Sequence, residues 1–245
     1  MRLISLFSID STNSHALRLI REGLTEDILI YSEEQTKGRG QRGNNWLSRP
    51  GDGIYCSYVF FHKHLSIDKQ YVFNMCMSVA IAQYVSSKIN QSVKIKWPND
   101  ILVNNKKIAG LLIENTIKGE QIGVSIVGIG LNLNQLWQNP AFDTAGTSLR
   151  MITGSEYNYE QEVFELARFV KKAKEDFEKG DYENVVKQYH EYLYGYNQLI
   201  TFQMEEQEVN AILKGINHDG SAIILKDGHQ QNVMHPQARI VVKHS

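Results

Sequence analysis

The sequence has no apolar stretch that approaches the ~20 residues needed to cross a membrane. Its start, MRLISLFSID, has only a broken apolar run and no small-residue cleavage site, so it does not predict a secretory signal. Neither sign of charge is in excess, because 26 Lys and Arg residues stand against 27 Asp and Glu residues. The whole molecule therefore has no strong field to attract nucleic acid or an anionic membrane, and any anion-binding site must be local.

The sequence contains only two cysteines. Cys56 and Cys76 lie in the apolar stretches IYCSYVFF and FNMCMSVA, without the spacing of metal ligands. Disulfides belong mainly to oxidising compartments, and two isolated thiols in apolar surroundings favour a reduced, buried role. Internal repeats and low-complexity tracts are also lacking, while 42% hydrophobic and 22% charged residues are ordinary for a chain that buries a core. These features predict a cytoplasmic globular protein.

The apolar pattern predicts a main domain over residues 1–195 and a small domain over residues 196–245. The main domain mixes short strands with helices, and the residues from 196 onwards alternate short strands with turn signals, which is typical of a small β-barrel. The fold class is therefore predicted as α+β with a mixed sheet. The predicted main-domain elements are strands 3–7, 28–31 and 54–61, helices from Asp10-Ser11-Thr12 to Arg21 and over 66–89, 159–179 and 182–193, and a hairpin turn at Asn104-Asn105.

Residues 36–53 form a loop of unusual length and composition. It holds five glycines and four cations, Lys37, Arg39, Arg42 and Arg49, against the single acid Asp52. Glycines let the backbone approach a ligand closely, so the loop could present N–H groups and positive charge to an anion. It lacks the spacing of a P-loop. Composition alone leaves a phosphate clamp and a mobile surface loop equally open.

The segment KIKWPNDILVNNKKIAG predicts two strands with polar residues at their junction. Lys96 and Trp97 point to opposite faces of a strand, and Pro98 ends regular pairing. Asn99 and Asp100 then fall in a turn that can orient polar groups toward a ligand.

The returning strand of this segment carries Lys107 and Gly110, which offer a cation and close backbone access. An exposed hairpin decorated with lysines is the structural alternative.

Five motifs carry a family resemblance: DSTN at 10–13, EQTKGRGQRGNNW at 34–46, KWPND at 96–100, KKIAGLLIE at 106–114 and GIGLNLN at 128–134. In this order they resemble the biotin protein ligase family, in a form lacking an N-terminal DNA-binding domain. The resemblance covers residues 1–195 well, and the remainder is similar to the family's small barrel in size and strand pattern. It implies a catalytic domain similar to class II aminoacyl-tRNA synthetases and lipoate ligases, followed by an SH3-like barrel.

The resemblance also implies three sets of site residues. The expected biotin-binding residues are Ser11, Thr12, Asn13, Gln35, Gly38, Arg39, Lys107 and Gly110. The expected ATP and adenylate contacts are Arg39, Gln41, Arg42, Trp46, Lys96, Asn99, Lys107 and Asn132. The expected catalytic residues are Lys107, Arg39 and Asp100, with Asp100 also expected to bind Mg²⁺.

The chemistry explains why cations are needed. Two anions, a carboxylate and a triphosphate, must meet, and prepositioned positive charge stabilises the negative charge that develops during attack on phosphorus. By resemblance, Lys107 contacts the carboxylate and the α-phosphate. Ser11 and Thr12 also have a structural alternative as helix caps, and both roles are compatible. Trp46 could equally be a core residue.

The sequence departs from the family at Gln41, where many relatives have a second arginine that helps hold the adenylate. Asn44 likewise stands where some relatives have a basic residue. A neutral amide lacks the charge and the two-pronged donor geometry of arginine, so Arg42 is a candidate for compensation.

The expected function is therefore that of an ATP-dependent biotin protein ligase, which forms biotinyl-5'-AMP and joins biotin to a lysine of a biotin carboxyl carrier protein. A lipoate or octanoate ligase is the enzyme alternative, and a non-catalytic biotin-binding regulator is the binding alternative. No nucleic-acid or membrane partner is expected, and either a monomer or a homodimer is compatible with the sequence.

Overall fold

A computed structural model describes residues 1–136 and 146–242 of the chain. It divides into two compact units, the first formed by Met1–Ile67 with Lys107–Arg168 and the second by Asp68–Lys106 with Phe169–Ser245. The loop predicted around Asn139-Pro140 lies outside the described residues. The domain boundary at residue 195 stays a prediction.

The described residues form twelve strands and five α-helices. The strands are β1 Arg2–Ile9, β2 Ile28–Gln35, β3 Gly53–Ser66, β4 Val93–Lys96, β5 Asp100–Val103, β6 Lys106–Lys118, β7 Gln121–Asn132, β8 Leu199–Met204, β9 Gln207–Ile216, β10 Ala222–Lys226, β11 His229–Val233 and β12 Ala238–Val241. The helices are α1 Thr12–Arg21, α2 Gln70–Lys88, α3 Leu149–Thr153, α4 Tyr159–Glu178 and α5 Tyr182–Tyr192. Every strand and helix predicted from the sequence is present within one to five residues of its predicted ends.

The strands of the first unit lie in the order β1-β2-β3-β7-β6. β1 and β2 are parallel, whereas β3 is antiparallel to both β2 and β7, and β7 is antiparallel to β6. This confirms the predicted mixed sheet and the mixed α and β content. A buried cluster of Ala16, Ile28, Ile30, Val59 and Ile126 joins α1 to one face of the sheet. Since each such aliphatic side chain contributes about 1.5–3 kcal/mol on burial, this cluster fixes α1 against the strands.

The second unit holds the antiparallel pair β4 and β5 and a five-stranded sheet in the order β11-β10-β9-β8-β12. β11 and β12 occupy opposite edges of that sheet, so the structure gives an open sheet and leaves the predicted barrel a prediction. Asn104 and Asn105 have φ of 49° and 62°, as a tight turn of this type requires. The hairpin turn predicted at these two residues is therefore confirmed.

Helix α2 is largely buried, and Met75, Cys76 and Met77 lie in its buried part. Cys56 and Cys76 are both free and buried, which confirms the expected role of the two thiols. Burial raises the pKa of each thiol to about 12. Within the described residues, every helix is too short or too polar to span a bilayer.

Candidate functional site

The N-terminus of α1 forms one wall of the candidate site in the first unit. Ser11 is the N-cap, and its side chain accepts a hydrogen bond from the Ser14 N–H at 3.5 Å. Just before it, Asp10 accepts two hydrogen bonds from the Arg18 guanidinium, both at 2.8 Å. Arg18 thereby holds the pKa of Asp10 well below its usual range. The predicted capping role of Ser11 is confirmed, and the start of α1 is fixed by a neighbouring ion pair.

Four polar side chains meet beside this helix terminus. Thr12 donates to Gln35 Oε1 from both its backbone N–H, at 2.8 Å, and its hydroxyl, at 3.1 Å. The Ser57 hydroxyl lies 2.7 Å from Thr12 Oγ1 and 2.6 Å from Asn13 Oδ1. Ser57 on β3 is fully buried, and Thr12 and Asn13 are almost so. The Thr12–Gln35 contact thus joins two separate sequence motifs, and Ser57, which sequence reasoning missed, holds Thr12 and Asn13 beside it.

A second residue that sequence reasoning missed is Glu114, at the end of the KKIAGLLIE motif. One of its oxygens, Oε2, accepts from Asn13 Nδ2 at 2.7 Å and from the Arg39 guanidinium, also at 2.7 Å. Period-two alternation along β6 places Glu114 on the same face as Gly110, and this was the available signal. Glu114 therefore connects the helix terminus to the glycine-rich loop.

The glycine-rich loop closes on itself. The Trp46 N–H donates to the Gly38 carbonyl at 2.9 Å, Arg39 is bridged to Asn45, and residues 41–43 form a short 3₁₀ turn between them. A Cβ at Gly38 would overlap the Trp46 carbonyl oxygen. Glycine is consequently required at position 38 because the two arms of the loop approach too closely for a side chain.

The Trp46 indole rests on two glycines that face each other across β6 and β7. Gly110 and Gly130 are register partners. A Cβ on Gly130 would overlap the indole, and one on Gly110 would lie 3.1 Å from it. The Lys107 ammonium lies 5.2 Å from the centroid of the same indole, within cation–π range. Gly110 and Gly130 form a flat surface, here called the glycine floor, on which loop and lysine converge.

The indole N–H of Trp46 is buried and has no hydrogen-bond partner among the described residues. A buried donor without a partner costs about 1–3 kcal/mol relative to one that is bonded. This donor is therefore available to an acceptor that enters beside the floor.

Asn132 is fully engaged within the protein. Its Nδ2 donates to the carbonyls of Thr147, at 3.0 Å, and Lys107, at 3.4 Å, while its Oδ1 accepts from Gln135 at 3.2 Å. The Lys107 carbonyl also accepts from the Thr147 N–H at 2.8 Å. In this structure Asn132 thus fixes the backbone of Lys107, and a direct ATP contact by Asn132 stays a prediction.

The remaining predicted residues belong to the loop and to the second unit. Gln41 is half-buried in the 3₁₀ turn, and the side chain of Arg42 is outside the described part of the chain. Lys96, Asn99 and Asp100 belong to the second unit, where Lys96 and Asp100 pair across β4 and β5 and Asn99 is buried. The roles predicted for these residues therefore stay predictions.

The anchoring of the KWPND motif is clear within the second unit. Trp97 is buried, donates its indole N–H to the Gly220 carbonyl at 2.9 Å and contacts the His235 ring edge-to-face at 5.4 Å.

A cavity of 1190 Å³ in this unit, lined by parts of β4, β5 and α5, contains none of the predicted site residues. We favour the polar cluster of the first unit over this cavity, because the cluster unites three of the motifs.

Comparison with known proteins identifies the family to which the chain belongs. The model of the biotin/lipoate A/B protein ligase family matches residues 6–132. The bifunctional ligase/repressor BirA of Bacillus spizizenii is 34% identical over 127 residues, which are 52% of this chain and 39% of that protein. BirA of Escherichia coli is 26% identical over 220 residues, which are 90% of this chain and 68% of that protein. The match to the Bacillus relatives thus spans about two fifths of their length.

Among solved structures, the biotin protein ligase from Aquifex aeolicus in complex with biotin and ATP has a TM-score of 0.82. The two chains share 22% identity, and the superposition covers 99% of each. At this level of identity the likeness establishes the fold.

Proposed function

Because the chain belongs to the biotin/lipoate A/B protein ligase family, we propose that it is an ATP-dependent biotin protein ligase. In the first step, an oxygen of the biotin carboxylate attacks the α-phosphorus of ATP, and the bond from that phosphorus to the bridging oxygen breaks. The products are biotinyl-5'-AMP and pyrophosphate. In the second step, the amine of a carrier lysine attacks the acyl carbon, AMP leaves, and the amine gives up a proton as the amide forms.

The observation that carries this proposal is the contact of Glu114 with both Asn13 and Arg39. The resemblance assigns Asn13 to biotin binding and Arg39 to closure over biotin and the activated carboxyl. One carboxylate oxygen holds both residues, so a proposed biotin contact and a cation lie next to each other, bound to a residue on the face of β6 that also carries Gly110. Such a neighbourhood suits a ligand that joins a polar ring system to an anion.

Charge supports the adenylation step in particular. Arg39 and Lys107 supply two cations on the first unit, and both are held by neighbouring groups before any ligand binds. Preorganised charge is effective because it needs no rearrangement when negative charge develops on the α-phosphate. The orphan indole N–H of Trp46 adds a neutral donor beside the same floor.

Magnesium is proposed only as an ion that arrives with ATP. The described residues contain no group of three or more His, Cys, Asp or Glu side chains suited to hold a metal. Mg²⁺ is commonly bound through one or two carboxylates plus substrate phosphates, and Asp100 offers one such carboxylate. Bound in that way, the ion would offset phosphate charge.

We further propose that the acceptor is a biotin carboxyl carrier protein, that Gln35, Gly38, Ser11 and Thr12 contact biotin, and that Gln41 and Arg42 line the adenylate. The predicted SH3-like form of the C-terminal sheet belongs to the same proposal. It requires β11 and β12 to approach each other closely enough to close the open sheet.

A transfer assay tests the function. The protein is incubated with ATP, Mg²⁺ and radiolabelled biotin, with a purified biotin-carrier domain and with the same domain after its acceptor lysine is replaced by arginine. Label is expected on the first carrier and not on the second. Transfer of lipoate or octanoate in place of biotin would assign the chain to the lipoate branch, and biotin binding without adenylate formation would make it a regulator.

A further inference from the structure

Gln135, three residues after the end of β7, carries a buried acceptor. The residue is 8% exposed, and its side-chain oxygen Oε1 has no hydrogen-bond partner among the described residues. Its backbone is held in place, because the carbonyl of Gln135 accepts from the Ser148 hydroxyl at 2.7 Å. A buried polar atom without a partner is costly, so native proteins rarely leave one unless it has a function. This oxygen is therefore suited to accept from a ligand that brings a donor.

The neighbours of Gln135 determine which of its two amide atoms is open. Asn132 donates to the carbonyls of Thr147, at 3.0 Å, and Lys107, at 3.4 Å, and since carbonyls only accept, the donating atom must be the amide nitrogen. The oxygen of Asn132 consequently faces Gln135 and requires a donor there, which is Gln135 Nε2 at 3.2 Å. The open atom of Gln135 is therefore its oxygen, and a partner must supply an N–H or O–H.

The position of Gln135 along β7 indicates which end of the proposed ligand lies nearest. Gly128 and Asn132 lie on the same face of β7, about 13 Å apart along the strand. Gly128 lies against the amide of Asn13, which the resemblance assigns to biotin binding. Asn132 lies at the other end, bonded to the carbonyl of Lys107, which is expected beside the α-phosphate. Gln135 is therefore remote from the expected biotin contact, and its open oxygen faces the nucleotide end.

We propose, on the basis of the ATP use in the proposed function, that Gln135 determines which nucleotide this protein accepts. Its Oε1 accepts a hydrogen bond from the exocyclic amino group of adenine. Adenine presents an N–H donor at this position, whereas guanine and hypoxanthine present a carbonyl oxygen. An oxygen that faces Oε1 would leave two acceptors unpaired, so a nucleotide with a keto purine is rejected. The choice of base is thus made by the residue that directly follows the GIGLNLN motif.

Titration calorimetry of the full chain with ATP and with ITP tests the proposal. The two nucleotides share ribose and triphosphate and differ only in the six-membered ring of the base. Both are titrated as Mg²⁺ salts, with and without biotinol, an alcohol analogue of biotin that cannot form an acyl-adenylate. Wild type is expected to bind ATP about ten- to a hundredfold more tightly than ITP. Purine ribonucleoside triphosphate should fall between them, because it lacks both the amino group and the opposing oxygen.

Gln135→Met removes the acceptor at similar side-chain length and should bring the affinities for ATP and ITP within a few-fold of each other. The ratio is the decisive quantity, because a general disturbance of the site would weaken both nucleotides alike. Gln121→Met is the matched control, since Gln121 is an exposed glutamine at the start of β7, and it should keep the wild-type ratio.

Three outcomes would overturn the proposal: equal affinity of wild type for ATP and ITP, an unchanged ratio in Gln135→Met, or binding of neither nucleotide. A preference for ATP that Gln135→Met abolishes, in a protein that forms no biotinyl-5'-AMP, would support the role of Gln135 and overturn the ligase function alone.

Discussion

Single side chains in the first unit are positioned by contacts with their neighbours. Lys107 illustrates this, because its carbonyl is held by Asn132 and the Thr147 N–H while its ammonium lies over the Trp46 ring. A flexible side chain otherwise loses considerable entropy when it is fixed by a ligand. The protein therefore meets much of that cost before the ligand arrives.

Replacement of Lys107 by alanine should slow adenylate formation by about 10²- to 10³-fold, by analogy with removal of one preorganised donor from an oxyanion hole. Single-turnover formation of labelled biotinyl-5'-AMP measures this. Lys118→Ala is the matched control, because Lys118 is an exposed lysine near the end of the same strand. Unchanged adenylate formation in Lys107→Ala would remove the residue from its proposed role.

Gly130→Ala should displace the Trp46 indole, because the added Cβ would overlap it. We expect biotin affinity to fall by about tenfold, a loss of about 1.4 kcal/mol, with little change in secondary structure. Titration calorimetry measures the affinity and circular dichroism the fold. Gly123→Ala on the same strand is the control, since its Cβ would have only one neighbour within 4 Å, at 3.9 Å. Equal affinity in both variants would contradict the glycine floor.

Sequence reasoning found the residues whose chemistry is conspicuous and missed those that support them. Arg39 and Lys107 were predicted because a family motif names them, whereas Ser57 lies in an apolar strand and Glu114 at the end of an apolar motif. Their roles depend on contacts across 44 and 75 residues of sequence. Local spacing cannot reveal such pairings, because β3 and β6 are brought beside α1 and the loop only by the sheet.

At the scale of whole elements, two attachments of the loop from 36 to 53 involve its site side chains, the Arg39–Glu114 ion pair and the contact of Trp46 with the glycine floor. A bound ligand could take the place of either contact. The Arg39–Glu114 pair is more than a third exposed, and pairs of this type contribute only about 0–1 kcal/mol.

Glu114→Gln should make the loop easier to cleave by trypsin after Arg39, by about two- to fivefold, because the loss of charge weakens the Arg39 contact. Biotin with ATP should protect the wild-type loop, since ordering by ligand closes it. Mass spectrometry of timed digests gives the cleavage rate. Glu120→Gln, at an exposed position between β6 and β7, should cleave like wild type. A rate in Glu114→Gln equal to that control would show that Glu114 does not restrain the loop.

Periodicity predicted long elements better than short polar ones. Strand β11, HQQNV, has four exposed residues and one buried residue, so its sequence carries almost no apolar signal. It is a strand because it pairs with β10 from Ala222 opposite Val233 to Lys226 opposite His229. Tertiary pairing, which sequence pattern does not report, determined this element.

At the scale of the whole second unit, His190 joins α5 to the C-terminal sheet. His190 Nε2 accepts from the Ile216 N–H at 2.9 Å, and its ring stacks on Tyr196 with centroids 5.1 Å apart. Burial lowers the pKa of His190 below its usual value of 6.5. Protonation would remove the acceptor at Nε2 and leave a charge on a half-buried ring.

Stability should therefore be pH-dependent. Because the pKa of His190 is lower in the folded state, its contribution is fully present above pH 6.5 and is lost as the pH falls through the folded value. Thermal unfolding between pH 7.5 and pH 5.5 measures this loss of stability. The unfolding temperature of His190→Gln should change less over this pH range than that of wild type. His229→Gln is the control at an exposed histidine. The same pH dependence in all three proteins would exclude His190 as its source.

Two glycines of β7, Gly128 and Gly130 of the glycine floor, also limit which genetic changes this protein can accept. Any missense change at Gly128 introduces a Cβ into the space of the Asn13 amide, and any at Gly130 introduces one into the Trp46 indole. No substitution at either position avoids this overlap, because every other amino acid has a Cβ. Variation that alters ligand preference is thereby directed away from the sheet and into the loop, where Gln41 already differs from the common pattern. Mutant libraries aimed at new acyl groups should consequently recover functional changes at 41–45 and almost none at 128 or 130.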